Sequence, residues 1–382
     1  MSPLEEDISY YRWDLGWWEV THFWDKWIYK GKAALQSDKS KKELNAVLIN
    51  FFSINDEINK LEEKLGNSRL AGGISSMTPR DSKLESHIIS LKENQSELKP
   101  IVEDYLEGVV SAILSSYGLE SRLGFLWPPV DVDFSNPPYV LVVSPRDKIE
   151  RQFTVTLSPS MSPTNIDQLE RVLVANHGVS ALITSIGGIA TYPSIVPPSQ
   201  GLRMSLRSLV HEWLHQYWFF HPLGSNYWND SNMTTLNETA ANLAGNELGD
   251  QIFHSLDDND RLNLMRRDSD LKDKSKFDFR HEMRHTRLIV EKMLSDGLID
   301  QAETYMKHRR SIFENEGFYI RKLNQAYFAF YGSYGDNPAS ISPIRDEVAK
   351  YRQRFTSVGD FIKEIGEFST YEEFQQKVGL EH

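Results

Sequence analysis

Residues 211–215 read His-Glu-Trp-Leu-His. On a helix, residues four apart sit one turn apart on the same face. His211 and His215 can therefore reach one ion together, at the roughly 2.0–2.1 Å of a zinc–imidazole bond. Glu212 lies beside that face, where it can contact a water held by the ion without being a ligand. An ion that polarises a carbonyl and acidifies a water, next to a carboxylate that takes the proton, is hydrolytic chemistry.

The same pattern recurs at His281-Glu282-Met283-Arg284-His285. The two copies differ in their surroundings. Around the first stand Leu206, Leu209, Val210, Trp213, Leu214, Tyr217 and Trp218, which point all round a helix over 202–220 and predict its burial. Ionisable groups inside a buried helix need compensation, and a metal supplies it. The second copy carries Arg284 within it and Asp278, Arg280 and Arg287 nearby. Its apolar stripe, Phe279, Met283, Val290 and Leu294, points away from its histidines, which predicts a surface helix.

A hydrolytic zinc site keeps three protein ligands and one open position, so a third ligand is needed downstream. The candidates are His221, Asp230, Glu238, Glu247 and Asp250. His221 precedes Pro222 at the expected helix end and is too close to turn back. Glu238 is preferred. It sits in Leu236-Asn237-Glu238-Thr239-Ala240-Ala241-Asn242, whose small residues let a second helix pack tightly on the first. Glu247 is the fallback and needs a longer second helix. Arg203, Arg207, His211 and His215 share one face, so Arg207 could meet a substrate carboxylate or pair with a structural acid.

The rest of the chain must position these residues. Trp13, Trp17, Val20, Trp24, Trp27 and Ile28 form a stripe of helical spacing over 9–34. It reads as a helix packed on the core, or else as a membrane- or partner-docking helix. Residues 40–65 and 82–117 also read as helices. Strands are expected at 139–144, 152–157, 179–185 and 189–196, with a helix at 164–175 opened by Thr164 or Asn165. Pro193 confines the last of these strands to a sheet edge. From about 233 the pattern is helical almost to the end.

His-Glu-Trp-Leu-His followed by Asn237-Glu238-Thr239-Ala240-Ala241-Asn242 resembles the gluzincin group of zinc metallopeptidases. More loosely, residues 201–380 resemble uncharacterised bacterial predicted aminopeptidases, through LNETAAN and RKLNQAYFAFYGSYGDNP at 321–338. The resemblance implies one zinc ion held by His211, His215 and Glu238, with Glu212 as general base and then acid. It implies that the strand before the metal helix, including Thr191 and Tyr192, pairs with the substrate backbone. Asn242 stands where the family commonly has an aspartate that orients the first histidine. A C-terminal tyrosine is expected to stabilise the oxyanion; Tyr327, Tyr331 and Tyr334 are candidates, with Tyr334 favoured for its Gly-bounded loop.

The expected fold is α+β and mostly helical: a zincin-like small mixed sheet with an active-site helix, a helical N-terminal region and a helical C-terminal half. The expected divisions are 1–117, 118–250 and 251–379. The rival to a peptidase is a zincin-like module that binds a peptide or a partner around a structural zinc. The chain has 382 residues, 40% hydrophobic, and a net charge of -12, which argues against a nucleic-acid footprint. It holds no cysteine, so a metal must be held by His and carboxylate. No apolar run is long enough to span a membrane, and MSPLEEDISYY lacks the apolar stretch of a signal peptide. Leu380-Glu381-His382 resembles the start of a vector-encoded histidine tag; if a native leader or anchor was removed with it, the compartment is extracytoplasmic or membrane-anchored, and the sequence leaves it open.

Overall fold

The computed structural model describes residues 3–14, 40–72, 79–256 and 277–379. Residues 17–28 of the aromatic stripe and residues 380–382 lie outside these. Helix α1 (Pro3–Ser9) ends before Trp13, so the helix expected from residue 9 does not run through 10–14. Trp13 instead extends a sheet: its N–H donates to the Thr156 carbonyl at 3.1 Å.

Helices α2 (Lys41–Gly72) and α3 (Pro79–Ser116) form an antiparallel pair. Tyr105 bonds Asn45, and Lys92 bonds Glu62, across it. Phe51, Phe52, Leu106, Val110 and Leu114 carry this pair into the main core. Among the described residues no helix is long and apolar enough to cross a membrane.

Strand β1 (Val132–Asp133) is short, and β2 (Tyr139–Ser144), β3 (Phe153–Leu157) and β4 (Ser180–Thr184) form an antiparallel sheet in the order β3-β2-β4. Helix α4 (Pro163–His177) connects β3 to β4; Ser162 caps it, two or three residues earlier than expected. One face of β2 packs on α1 and α4 through Leu141 and Val143. The other packs on Ala326 and Phe330 through Val140 and Val142. Burial on both faces is why the strand reads as an unbroken apolar run.

The edge at β4 is closed by side chains. Glu170 Oε1 accepts from the Ile183 N–H at 2.6 Å, Arg321 donates to the Ile183 carbonyl at 2.7 Å, and Asn324 donates to the Ala181 carbonyl at 3.0 Å. The edge strand expected over 189–196 shrinks to β5 (Ser194–Ile195), which pairs parallel with β1 away from the main sheet. The segment folds on itself instead. The Thr191 N–H reaches the Ile189 carbonyl at 2.9 Å, and the Thr191 hydroxyl reaches the Pro193 carbonyl at 2.6 Å. These local bonds use groups that a substrate strand would need, and Pro193 has no N–H to offer.

Helix α5 (Leu202–Trp218) follows a single 3-10 turn, as the pattern over 202–220 predicts. Phe219–Asn229 and the short α6 (Pro222–Ser225) turn the chain back into α7 (Ser231–Ser255), whose N-cap is Asp230. Helix α7 is buried on nearly every side because Leu236, Ala240, Ala244 and Leu248 join α5, the N-terminal helices and the C-terminal helices in one core. Its glycines permit close contact with α5. A Cβ on Gly249 would fall 2.6 Å from Arg207 Cα, and one on Gly245 3.1 Å from His211 N. Gly249→Ala is therefore expected to cost about 1–3 kcal/mol of stability through overpacking, read as a lower urea midpoint.

Helices α8 (Phe279–Ser295) and α9 (Ile299–Asn315) carry their own cluster around Met283, Val290, Met306 and Phe313. Helix α10 (Gln325–Tyr331) lies on the sheet. Helices α11 (Ile344–Arg352), α12 (Val358–Gly366) and α13 (Tyr371–Gly379) pack back on α7.

Arg203 and Arg207 both grip Asp250, at 2.8 Å and 2.7 Å, which clamps α5 to α7. Burial works against the Asp250 charge, but the two guanidinium groups outweigh it and hold the carboxyl well below its ordinary value of 3.8. A depressed carboxyl stabilises the fold above its ordinary pKa and loses that contribution as pH falls toward the folded value. The stability gap between wild type and Asp250→Asn is thus expected to narrow between about pH 7 and pH 3, measured as urea midpoints at both.

Candidate metal centre

Helix α5 supplies His211 and His215, and α7 supplies Glu238 from across the interface. The two Nε2 atoms are 2.9 Å apart. Glu238 Oε2 lies 3.4 Å from His211 Nε2 and 3.6 Å from His215 Nε2. Among the described residues this is the one group of three His or carboxylate side chains whose atoms converge as a metal's ligands do. A triangle with those sides has a circumscribed radius of about 1.9 Å, a spacing that would fit zinc bonds of roughly 2.0–2.1 Å to all three atoms. Glu238 Oε2 and His211 Nδ1 are buried without a hydrogen-bond partner. Buried polar atoms are nearly always paired, so a carboxylate oxygen left facing two imidazole nitrogens fits a cation.

The surroundings set the ligand atoms. Asn237 donates from Nδ2 to the Leu223 carbonyl at 3.3 Å, which turns its Oδ1 toward His215 Nδ1 at 2.8 Å. The amide oxygen can only accept, so His215 carries its proton on Nδ1 and keeps the Nε2 lone pair for the ion. Tyr227 donates its hydroxyl to Glu238 Oε1, leaving Oε2 to the histidines. Burial opposes charge on both partners, but their mutual attraction wins. Without metal, His215 is pushed up to about 9 and Glu238 is held well below the usual carboxylate range.

Glu212 is 7% exposed and has no hydrogen-bond partner among the described residues. Burial raises its pKa, against the pull of His211 and His215. Its carboxylate lies against Gly188, where a Cβ would fall 2.6 Å from Oε1. A loop before β5 thus forms a wall over the carboxylate. Gln216 ties that wall to α5 by donating to the Thr191 carbonyl and to Ser194 Oγ. The group opens on a cleft of about 1390 Å³, also lined by Thr191, Tyr192, Asn242 and Tyr334.

Each other candidate ligand has a different partner. Glu247 pairs with Arg352 at 2.7 Å, Asp250 with the two arginines, and His221 with Glu367 at 3.1 Å, while Asp230 caps α7. Arg207 is therefore held in an ion pair, not left free for a substrate carboxylate. Asn242 donates to Asp336 at 3.0 Å and does not reach His211. The supporting amide is Asn237, directly before Glu238, and it serves the second histidine. Of the three tyrosines, Tyr331 bonds Thr184 at 2.8 Å, and Tyr327 packs in the core. Tyr334 has no hydroxyl partner among the described residues and stands near both Glu238 and Glu212. Burial first, then the Glu238 charge, keeps its phenol protonated well above the usual value.

The second His-Glu-x-x-His copy is a surface feature. His281 and His285 are exposed with ring centres 6.2 Å apart, and Arg309 pairs with Glu282. Tyr227 is a site residue that no motif marked, and Asn237 stood in the motif with Glu238 without a role of its own. No protein-family model, no curated protein and no solved structure matches this chain.

Proposed function

We propose that the chain is a zinc-dependent hydrolase of peptide bonds, of gluzincin type. The observation that carries this reading is Glu212, a largely buried carboxylate that lines the cleft beside the three-ligand group and has no hydrogen-bond partner among the described residues. Structural zinc sites close with four protein ligands, whereas hydrolytic ones keep three. His211, His215 and Glu238 are three, and no fourth joins them among the described residues. This favours the enzyme over the non-catalytic module.

A zinc ion held by His211, His215 and Glu238 would supply Lewis acidity toward a carbonyl and a water. Glu212 takes the proton of the attacking water and passes it to the leaving nitrogen. Asn237 holds His215 in the right tautomer, and Tyr227 fixes the Glu238 carboxylate. Tyr334 donates to the carbonyl oxygen as charge develops on it. Gly188 lets the cleft wall pass close enough to Glu212 to aim it. Gly188→Ala is expected to lower kcat/KM by about 10–100-fold with zinc content unchanged, because a displaced catalytic group costs that much. Parallel kinetics and metal analysis check it.

X-ray absorption at the zinc edge tests the reading. Two imidazoles, one carboxylate and one non-protein oxygen are expected. Four protein ligands would carry the structural-zinc module instead.

A further inference from the structure

The cleft differs at its two ends. It follows α5, with Arg207 and Ser208 before the metal ligands and Phe219 and Phe220 after them. The first end is mostly polar, joined by Asn242, Asn246 and Asp336 with Met204 beside them. The second is aromatic: Phe219, Phe220, Trp127 and Trp228 all line it. They are 69%, 61%, 52% and 82% exposed, so the fold itself does not bury them. The Trp127 and Phe220 ring centres lie 6.3 Å apart, and those of Phe219 and Phe220 5.3 Å. Single exposed apolar residues are ordinary, but a cluster open to a cleft marks a binding surface.

This end adjoins the metal group. Phe219 follows His215 by one helical turn, and its N–H donates to the His215 carbonyl at 3.0 Å. Trp228 rests edge-on against Tyr227 at 4.6 Å, and the Tyr227 ring meets His215 at 6.2 Å. Phe219 and Trp228 thus line the same cleft as the metal group, on either side of the turn that leads out of α5.

We propose that Phe219 and Trp228 set the specificity of the site, taking a bulky apolar side chain of a peptide beside the bond that is cut. The proposal rests on the hydrolase reading, and its test separates the two. The probes are short peptides that differ only in carrying Phe, Leu, Ser or Asp at one position, scanned along the sequence. They are titrated calorimetrically into zinc-loaded protein carrying Glu212→Gln, which retains the cleft. At one position the Phe and Leu peptides should bind at least about tenfold tighter than the Ser and Asp peptides, the scale of apolar pocket selectivity. Phe219→Ser with Trp228→Ser should level the series while leaving zinc content and the urea midpoint unchanged, since both residues are exposed. Equal binding of all four peptides, or a preference that survives the double substitution, overturns the proposal. So does sedimentation with phosphatidylcholine vesicles that the double substitution abolishes while no peptide preference exists; the aromatic end is then a membrane contact. Cleavage of the Phe peptide by the wild type is scored separately. Preference without cleavage supports the aromatic pocket and removes the hydrolase reading. Cleavage without preference does the reverse.

Discussion

Glu212→Gln is expected to keep its zinc and lose peptide hydrolysis by about 10²–10⁴-fold, the share that a positioned acid–base group contributes. The carboxylate is not among the three converging ligands, so its removal leaves the binding atoms in place. The amide has the same shape and fills the same space against Gly188. It carries no charge, so a buried group whose ionised form was disfavoured by burial becomes neutral without a desolvation cost. The fold should hold, with an unchanged urea midpoint. What the amide cannot do is accept a proton from water. A variant that retained zinc and full kcat/KM would remove Glu212 from the mechanism.

Glu238→Ala should release the metal. It deletes the one ligand atom that α7 supplies and leaves two histidines whose Nε2 atoms are 2.9 Å apart. Losing a supporting partner typically costs 10–100-fold in metal affinity. Asn237→Ala, which removes such a partner from His215, is expected within that range. Glu238→Ala should exceed it, beyond about a hundredfold, in a competition titration with a zinc chelator. Glu247→Ala serves as the comparison, because Glu247 is paired with Arg352 and should leave zinc affinity unchanged. Equal affinities for the Glu238 variant and the wild type would refute the ligand set.

Local pattern was informative wherever local forces decide the structure. The helix over 202–218 announces itself by apolar residues on all sides of a metal-ligand pair. The strand 139–144 does so by a run that only a strand buried on both faces carries. The internal Arg284 of the second copy marked that helix as exposed, and its histidines are. Small residues at Ala240 and Ala241 foretold the tight packing that brings Glu238 to the histidines.

What the sequence left open or missed shares a cause: it depended on which of several near groups a side chain meets in three dimensions. Arg207 lies on the histidine face, but Asp250 arrives from the facing helix and pairs with it. Asn242 lies one turn from Glu238, but Asp336 reaches its amide from the loop after α10. Asn237 gains its role from the Leu223 carbonyl, which fixes the direction of its amide. The segment over 189–196 has the composition of a strand, yet bonds within itself once Pro193 withholds an N–H. Tyr227 sits in a loop with no periodicity to mark it, and only the fold brings its hydroxyl to Glu238.

The most direct test of the account is a peptide-library digest with zinc-loaded wild type beside zinc-loaded Glu212→Gln, with the metal content of both samples measured. The account predicts one zinc per chain in each, cleavage by the wild type, and none above background by the variant. Zinc bound equally in both with no cleavage by either, or with cleavage by both, would contradict it.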